Sequence, residues 1–298
     1  MTKIIETIPN FSEGRNKAVI EGLATVARST PGVTLLDYSA DTSHNRSVFT
    51  LMGGPDGVKT AVVALTKYAA QHIDLTKHEG QHPRMGAVDV IPFVPLKGAT
   101  MEDCIALSKE AGKAIAAQTG IPVFLYEESA SNPERVNLAE IRKGQFEGMA
   151  QKMTQPEWTP DFGPPAPHPT AGVVAVGARM PLIAFNVNLS TSDINIASNI
   201  AKIIRGSSGG LKYCKAIGIF LEERNTAQVS MNMVNYECTP LYRAIELIKA
   251  EAKRYDVHVI GTELIGLAPA KALIDSAEYY MQLEGFDYGK QVLENHLI

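Results

Sequence analysis

Hydrophobic and polar residues alternate along the first third of the chain in a pattern that predicts strands and helices in turn. Lys3 to Pro9 is predicted to form a strand. Ser12-Glu13-Gly14 is predicted to open a helix, which Pro31-Gly32 ends. The next predicted elements are strands at Val33 to Tyr38 and Ser47 to Met52, a helix from Pro55, and a strand at Asp89 to Leu96. The predicted order is β-α-β-β-α-β, which is that of the ferredoxin-like unit.

The second half of the chain repeats this order. The predicted elements are a strand at Leu182 to Leu189, a helix at Ser192 to Ile204, strands at Ala216 to Glu222 and Ala227 to Val234, a helix at Pro240 to Arg254 and a strand at Val257 to Ile260. We therefore predict an α+β fold of two related ferredoxin-like-type βαββαβ subdomains, residues 1–178 and 179–298, with a cleft between them. Each is expected to have a mixed or antiparallel sheet covered by helices.

A proline-rich segment precedes the predicted boundary. Trp158 to Thr170 contains five prolines in thirteen residues, which excludes a helix or a central strand. Two interpretations remain open. The segment is either a stiff linker between the subdomains or a rigid wall of a ligand cleft, since ligand sites favour domain interfaces.

Composition and charge narrow the class of protein. Hydrophobic residues make up 45% and charged residues 20%, as in ordinary globular domains. The net charge of −4 argues against nucleic acid as a partner, because a nucleic-acid site needs a basic face. The sequence has no run of about 18 apolar residues and no signal peptide, and its three cysteines are far apart. These features predict a cytoplasmic protein that does not act at a membrane.

One short segment carries most of the candidate chemistry. His78-Glu79-x-x-His82 matches a zinc-protease signature, which requires both histidines on one face of a continuous helix. Gly80 lies between them, and Pro83 disfavours helical dihedrals at His82. The downstream residues lead into a predicted strand. The context therefore disfavours a metal, although a zinc hydrolase using His78, Glu79 and His82 stays as an alternative.

Without a metal, the same segment is typical of an exposed active-site loop. Lys77, His78, His82 and Arg84 place four basic groups within eight residues, and we expect Lys77 and Arg84 to hold carboxylates of a substrate. A histidine with an unperturbed pKa of about 6.5 is a natural general acid or base at neutral pH. The alternative is a solvated basic loop with structural histidines.

The loop from Asp37 to Arg46 is a second candidate. Asp37 or Asp41 could orient a histidine and stabilise its imidazolium, and Asn45 and Arg46 could bind a substrate. The alternative is ordinary turn chemistry, for which loops use the same residue types.

Several longer motifs resemble the formiminotransferase family, in one order over nearly the whole chain. They are Pro9-Asn10-Phe11-Ser12-Glu13-Gly14, His82-Pro83-Arg84-Met85-Gly86-Ala87, Trp158-x-Pro-Asp161-Phe162-Gly163-Pro164, Ala184-Phe185-Asn186-Val187-Asn188-Leu189, and Leu221-Glu222-Glu223 with Ala227-Gln228-Val229-Ser230. A resemblance of this extent is far more specific than the five-residue zinc pattern.

The resemblance implies two α/β subdomains with a tetrahydrofolate-binding cleft between them, and a homodimer. The implied reaction moves the formimino group of N-formimino-L-glutamate to N5 of tetrahydrofolate and releases L-glutamate, without a metal, in histidine degradation. An alternative is the use of a formyl group or of 5-formyltetrahydrofolate by the same site. Vertebrate members are fused to a cyclodeaminase, which is expected here as a separate protein.

The resemblance also implies roles for individual residues. The catalytic histidine corresponds to His82, which we expect to protonate the departing glutamate nitrogen. The family carries a carboxylate at the position of Ser39, so Asp41 or Asp37 is expected to orient His82 instead. The folate-contacting segment corresponds to Gly163, Pro164, Pro165, Ala166, Pro167, His168, Pro169, Thr170, Ala171 and Gly172.

Overall fold

The computed structural model describes residues 3–296. The chain divides into two compact units, Met1–Arg179 and Met180–Ile298. Among the residues described, no helix combines the length and the apolar character needed to cross a membrane.

The first unit is built on a seven-stranded sheet. Its strands are β1 (Ile5–Thr7), β2 (Asn10–Phe11), β3 (Val33–Asp41), β4 (Arg46–Gly53), β5 (Val88–Pro95), β6 (Val123–Glu127) and β7 (Val174–Ala178). Its helices are α1 (Lys17–Ser29), α2 (Pro55–His72), α3 (Met101–Thr119), α4 (Leu138–Arg142) and α5 (Gln145–Lys152). Short 3-10 turns lie at Pro133–Arg135 and Pro156–Trp158.

Side chains on alternate strand positions bury two cores, one on each face of this sheet. Leu23, Leu65 and Ile115 of α1, α2 and α3 belong to the larger core, together with Ile91 of β5. Ile141 and Met149 of α4 and α5 belong to the smaller core, together with Phe124, Trp158 and the β5 residue Val90. The helices α4 and α5 thus cover a face that the sequence pattern left without predicted elements.

The start of the first unit differs from the prediction. The predicted strand from Lys3 to Pro9 is shorter, because Pro9 has no N–H to donate to a neighbouring strand. Asn10–Phe11 forms a separate strand that pairs with both β4 and β5. The helix predicted to open at Ser12-Glu13-Gly14 begins at Lys17, where the Asn16 side chain accepts hydrogen bonds from the first turn.

The second unit has a four-stranded antiparallel sheet. Its elements are β8 (Ile183–Leu189), α6 (Ile194–Ile204), β9 (Cys214–Leu221), β10 (Thr226–Met233), α7 (Leu241–Ala252), β11 (Val259–Ile265), α8 (Ala270–Met281) and α9 (Tyr288–Gln291), with short 3-10 turns at Gly206–Ser208, Glu222–Arg224, Lys253–Tyr255 and Leu293–His296. The sheet order is β11-β8-β10-β9, and α6 and α7 contribute Ile200 and Ile248 to the core. The last strand begins at Val259 and runs to Ile265, so the predicted strand at Val257 to Ile260 was wrong in both bounds.

The two units share one strand arrangement. In the first unit β3, β4, β1 and β5 are neighbours in that order, and in the second unit β9, β10, β8 and β11 follow the same order. The helices fall at equivalent places between these strands. The first unit then extends its sheet with the parallel strands β7 and β6.

The proline-rich segment lies inside the first unit and is not a linker between units. The boundary falls after Arg179, beyond β7. Asp161 and Phe162 both donate backbone hydrogen bonds to the carbonyl of Val123. The segment therefore adds to the edge of the sheet before the chain enters β7, and the linker interpretation was wrong.

Strand direction explains how distant loops meet. The strand β2 is antiparallel to both β4 and β5, so β4 and β5 run in the same direction, and β7 is parallel to β5. The starts of β4, β5 and β7 therefore lie at one edge of the sheet. The loops that enter these three strands hold residues 42–45, 78–87 and 163–172, which are the predicted catalytic and folate segments.

Candidate active site

His82 lies in the loop between α2 and β5 and is partly buried. Burial lowers the pKa of its imidazole to about 3, and positive charge on Arg46 and Arg142 adds to the effect, followed by His44 and His78. The imidazole is therefore neutral at neutral pH. A neutral ring can accept a proton before it donates one.

His78 is held at both ring nitrogens. Nε2 is 2.9 Å from the carbonyl oxygen of Asn45, and Nδ1 is 3.2 Å from Nε of Arg84. Because an arginine nitrogen only donates, Nδ1 accepts and the hydrogen of the neutral ring is on Nε2. Neither nitrogen has a lone pair left for a metal, so the structure contradicts the zinc alternative at His78.

Close backbone contact locks the His82 loop against the β3–β4 hairpin. A Cβ added at Gly80 would lie 2.4 Å from the carbonyl oxygen of His44. Asn45 donates from Nδ2 to the carbonyl of Glu79 at 2.9 Å and accepts at Oδ1 from the Gly14 amide at 2.9 Å. Asn45 adopts a left-handed conformation with φ of 50°, which asparagine tolerates better than most residues. Asn45 therefore joins three segments of the site.

Arg84 is buried and its guanidinium is engaged with protein groups. Nη1 and Nη2 donate to the two carboxylate oxygens of Glu147 at 2.8 and 2.6 Å, and Nη1 also donates to Oε1 of Gln145 at 3.1 Å. The remaining donors go to Nδ1 and the carbonyl of His78. The donors that a substrate carboxylate would need are already used, so Arg84 positions the loop in this conformation.

Arg46 differs from Arg84, because only part of its guanidinium is satisfied. Nη2 donates to Oδ1 of Asn10, whereas Nε is buried with no hydrogen-bond partner among the described residues. Burial lowers the Arg46 pKa to about 10, and Arg142 contributes to that shift. Arg46 opens β4 beside Asn10 of β2, so the strand pairing itself brings the two side chains together.

Asp89, near the start of β5, forms an ion pair with Arg142 of α4. Oδ2 of Asp89 accepts from Nε of Arg142 at 2.7 Å and also from its Nη2, while Oδ1 accepts from the Met85 amide at 2.9 Å. Asp89 is only 2% exposed. Arg142 ends α4, and the Lys152 ammonium donates to the carbonyls of Ile141 and Lys143 at 2.9 and 3.2 Å, which fixes the end of that helix.

Asp41, Asp37 and Lys77 are the remaining polar residues that the sequence predicted for the site. Asp41 accepts from the amide of His44 at 2.7 Å and lies 3.1 Å from its Nδ1. Asp37 is exposed in β3 opposite Thr50. Among the described residues, no hydrogen bond joins His82 to either carboxylate. Lys77 is exposed and pairs with Asp74 at 3.2 Å.

The predicted folate segment lies directly beside the His82 loop. Gly172 forms a bridge with Gly86, and the Ala87 amide donates to the carbonyl of Ala171 at 2.9 Å. His168 Nδ1 accepts from the Ala171 amide at 3.0 Å, which closes the turn 168–172. Gly163, Pro164, Pro165 and Ala166 are exposed. Hydrogen bonds thus fix residues 168–172 at the end of this segment, whereas residues 163–166 at its beginning are exposed to solvent.

An internal ion pair anchors the start of the same segment. Arg135 is buried and donates from Nη1 to Oδ2 of Asp161 at 2.8 Å. The same carboxylate oxygen accepts from the Leu125 amide at 2.7 Å, and Arg135 also donates to the carbonyls of Glu157 and Thr159. Within the family-like run from Trp158 to Gly163, Asp161 therefore has a structural role.

Sequence reasoning missed several members of the site. Arg142 and Glu147 carried no signal, because α4 and α5 are too short for a clear periodicity, and Asp89 lay within a predicted strand with nothing to mark it as part of a site. Asn10 lay inside a family-like motif, which was the one available indication. Among residues 3–296, no group of three or more His, Cys, Asp or Glu side chains is arranged to hold a metal ion.

Known proteins resemble this chain over both units. The family described as "Formiminotransferase domain, N-terminal subdomain" matches residues 4–179, and "Formiminotransferase domain" matches residues 184–295. A glutamate formimidoyltransferase of Streptococcus pyogenes serotype M1 is 64% identical over 298 residues, the full length of both chains. A glutamate formimidoyltransferase of Thermoplasma acidophilum is 45% identical, covering 99% of this chain and 97% of its own.

A longer relative matches in part. The formimidoyltransferase-cyclodeaminase of Gallus gallus is 44% identical over 289 residues, which are 95% of this chain and 53% of the relative. The two family matches and the two full-length relatives confirm the resemblance seen in the motifs: the chain belongs to the formiminotransferase family.

Proposed function

We propose that this protein transfers the formimino group of N-formimino-L-glutamate to N5 of tetrahydrofolate, giving 5-formiminotetrahydrofolate and L-glutamate in the degradation of histidine to glutamate. The observation that carries the proposal is the 64% identity, over the full length of both chains, to a protein named glutamate formimidoyltransferase. The convergence of the His82 loop with the predicted folate segment supports it.

The reaction needs one proton to move between two nitrogens. N5 of tetrahydrofolate attacks the formimino carbon, and a new C–N bond forms as the carbon becomes tetrahedral. The C–N bond to glutamate then breaks, and the glutamate nitrogen leaves as a neutral amine only if it receives a proton. The proton lost by N5 is the one that the leaving nitrogen gains, so the overall transfer is balanced without a further reactant.

His82 is proposed to carry this proton. Its lowered pKa makes it neutral before reaction, so it first accepts the N5 proton and then donates it to the glutamate nitrogen. This order keeps the sequence-based expectation that His82 protonates the departing glutamate nitrogen and adds the source of that proton. Holding both substrates in line supplies much of the remaining acceleration.

The other predicted roles are proposals at this site. Arg46 is proposed to attract a substrate carboxylate by its positive charge, and Asn45 to position the hairpin. Lys77, exposed and paired with Asp74, is proposed to exchange that partner for a carboxylate of a folate glutamate tail. Asp41 or Asp37 is proposed to act on His82 by charge, since Asp41 is near enough to raise the pKa of Arg46.

We also propose the finer features that the family resemblance implies. Each subdomain is of the ferredoxin-like type, with the boundary after residue 178 and tetrahydrofolate as the co-substrate at residues 163–172. The strand order shared by the two units supports the first point. A homodimer in the cytoplasm and a separate cyclodeaminase that takes the product complete the proposal.

The test is a transfer assay with matched donors and variants. Purified protein is mixed with tetrahydrofolate and either N-formimino-L-glutamate or N-formyl-L-glutamate, and product formation is followed spectroscopically. We expect transfer from the formimino donor, and a loss of about 10²–10⁴-fold in turnover for His82→Ala with folate binding retained. His296→Ala is the control, because that histidine is exposed and distant in sequence from the site.

Two outcomes would contradict the proposal separately. No transfer from the formimino donor, with good transfer from the formyl donor, would replace the proposed function by formyl transfer. Near-normal turnover in His82→Ala would leave the function in place but remove His82 from the chemistry.

A further inference from the structure

Arg46 and Arg142 form an unbalanced positive pair beside His82. Each contributes to the positive field at His82, and Arg142 also lowers the pKa of Arg46. The carboxylate that balances them is Asp89, with a weaker contribution from Asp41 at Arg46. Two arginines and a single buried carboxylate leave a net positive charge at this site.

Asp89 has little capacity left for Arg46. Its Oδ2 is used by Arg142, and its Oδ1 by the Met85 amide. The buried Nε of Arg46 meanwhile has no partner among the described residues. A buried donor without a partner costs about 1–3 kcal/mol, so the Arg46 guanidinium is poorly compensated by the protein itself.

Open space lies next to Arg142. A pocket of about 300 Å³ is lined by Pro83, Ala139, Arg142, Lys143 and Gly144, together with Gln145. Pro83 follows His82 directly, so the pocket opens beside the catalytic loop. Gly144 and Gln145 both adopt left-handed conformations, with φ of 92° and 54°, and the turn they form exposes Lys143 at the rim. The pocket thus has a cationic wall and lies beside Pro83, the residue that follows His82.

We propose that Arg142 binds a carboxylate of the amino-acid donor in this pocket, with the nearby charge of Arg46 adding to the attraction, and that this anion and a proton on His82 bind together. The inference rests on the proposed function, because it assigns the donor's carboxylate to this pocket. Arg142 is a specificity residue here, and its pairing with Asp89 holds the guanidinium in place for the ligand.

Linkage gives the direction of the effect. Four basic groups act on the free imidazole of His82: Arg46, Arg142, His44 and His78. Asp89 and Asp41 partly offset this positive charge by their interaction with Arg46. A bound carboxylate offsets the two arginines, so the imidazolium costs less and the pKa of His82 rises. By reciprocity, a protonated His82 must bind the carboxylate more tightly. The site therefore favours the proton on His82 only while an anionic donor is present.

The test uses glutarate, a dicarboxylate that has no group to transfer. Ring resonances of His82 are followed by NMR in the full chain, isotope-labelled at histidine, as pH is lowered with and without glutarate; His82→Gln identifies the signal. We expect His82 to stay neutral at about pH 6 without glutarate and to titrate at a higher pH with it. We expect Arg142→Gln to weaken glutarate binding about tenfold or more and to abolish the shift.

Controls keep the result specific. Arg142→Lys retains the positive charge but loses the two-pronged geometry, so it should restore part of the shift and part of the affinity. It also replaces Arg142→Gln if that variant does not fold. Arg254→Gln removes an exposed arginine of the second unit and should change neither quantity.

The proposal is overturned if glutarate leaves the titration of His82 unchanged, or if Arg142→Gln and Arg142→Lys both bind glutarate as the parent protein does. These outcomes do not depend on turnover. A glutarate-linked shift in a protein without formimino transfer would keep the anion site and reject the proposed function. Formimino transfer without a glutarate-linked shift in the titration of His82 would keep the proposed function and reject the anion site.

Discussion

Arg84 donates from Nε to Nδ1 of His78 at 3.2 Å, and this bond decides what His78 can do. It leaves the hydrogen of the ring on Nε2, which donates to the Asn45 carbonyl at 2.9 Å. The histidine therefore joins the start of the His82 loop to the hairpin before β4. Its role is to place His82, four residues further along the chain.

The first prediction is that metal removal has no effect. Dialysis against a strong chelator should leave the transfer rate and the thermal midpoint unchanged, because both nitrogens of His78 are bound to protein groups. His78→Ala should destabilise the protein by about 1–3 kcal/mol, since Arg84 and Asn45 lose a buried partner. Urea unfolding and metal analysis measure these effects. Activity that disappears with the chelator and returns with Zn²⁺ would restore the zinc interpretation.

The second prediction concerns the contact at Gly80. Gly80→Ala should lower turnover, because the new Cβ would lie 2.4 Å from the His44 carbonyl and 2.8 Å from Cβ of Asn45 and would separate the two loops. Gly148→Ala is the matched control. Gly148 lies within α5 with no atom within 4 Å of an added Cβ, so alanine should stabilise the helix by about 0.5–1 kcal/mol.

Transfer assays and thermal unfolding of both variants separate activity from stability. The interpretation of Gly80 would be wrong if its alanine variant kept full turnover, or if Gly148→Ala lost activity to the same extent.

The sequence predicted the parts of the site better than their assembly. His82, Arg46 and the segment from Gly163 to Gly172 could be found because their residue types and motifs are local. Their meeting at one sheet edge depends on the direction of β4, β5 and β7, and β7 was not predicted at all. Strand pairing is a long-range property, so a short window of sequence does not contain it.

Arg142 and Asp89 illustrate the same limit. They are 53 residues apart, and one ends a five-residue helix while the other opens a buried strand. Hydrophobic periodicity predicted the strand but could not predict that a carboxylate inside it has a cationic partner. A buried charged residue is informative only when its partner is known.

The third prediction tests the ion pair below the proline-rich segment. Arg135→Met should destabilise the protein by about 3–5 kcal/mol, because Asp161 would remain buried as an uncompensated charge. Folate binding should weaken as well, since Asp161 fixes the start of the segment that ends at Gly172. Urea unfolding and folate titration measure the two effects.

Arg254→Met provides the control for this pair. Arg254 also pairs with a carboxylate, Glu251 at 2.7 Å, but its side chain is 64% exposed, so its loss should not change stability measurably. Equal effects of the two substitutions would mean that burial of the Arg135–Asp161 pair contributes nothing to stability.

The fourth prediction concerns acid stability and follows from the environment of His82. Its pKa is about 3 in the folded protein, against an ordinary value of 6.5. Between these values the unfolded chain binds a proton that the folded protein does not, so the free energy of unfolding falls as pH decreases from about 6.5 toward 3 and is unaffected by this group above that range. His82→Gln removes the titrating group. At about pH 5 the variant should therefore lose less stability than the parent, by roughly 1 kcal/mol after allowance for solvent screening at the partly exposed ring.

Urea unfolding at about pH 7.5 and about pH 5 provides the comparison, and the difference between the two pH values is the quantity of interest. Carboxylates that titrate in the same range contribute equally to the parent and to the variant, so they cancel. His296→Gln, an exposed histidine, should lose as much stability as the parent. If His82→Gln also loses as much as the parent, the folded and unfolded states hold the His82 proton alike, and neither burial nor the positive charge of Arg46 and Arg142 lowers the pKa of the ring.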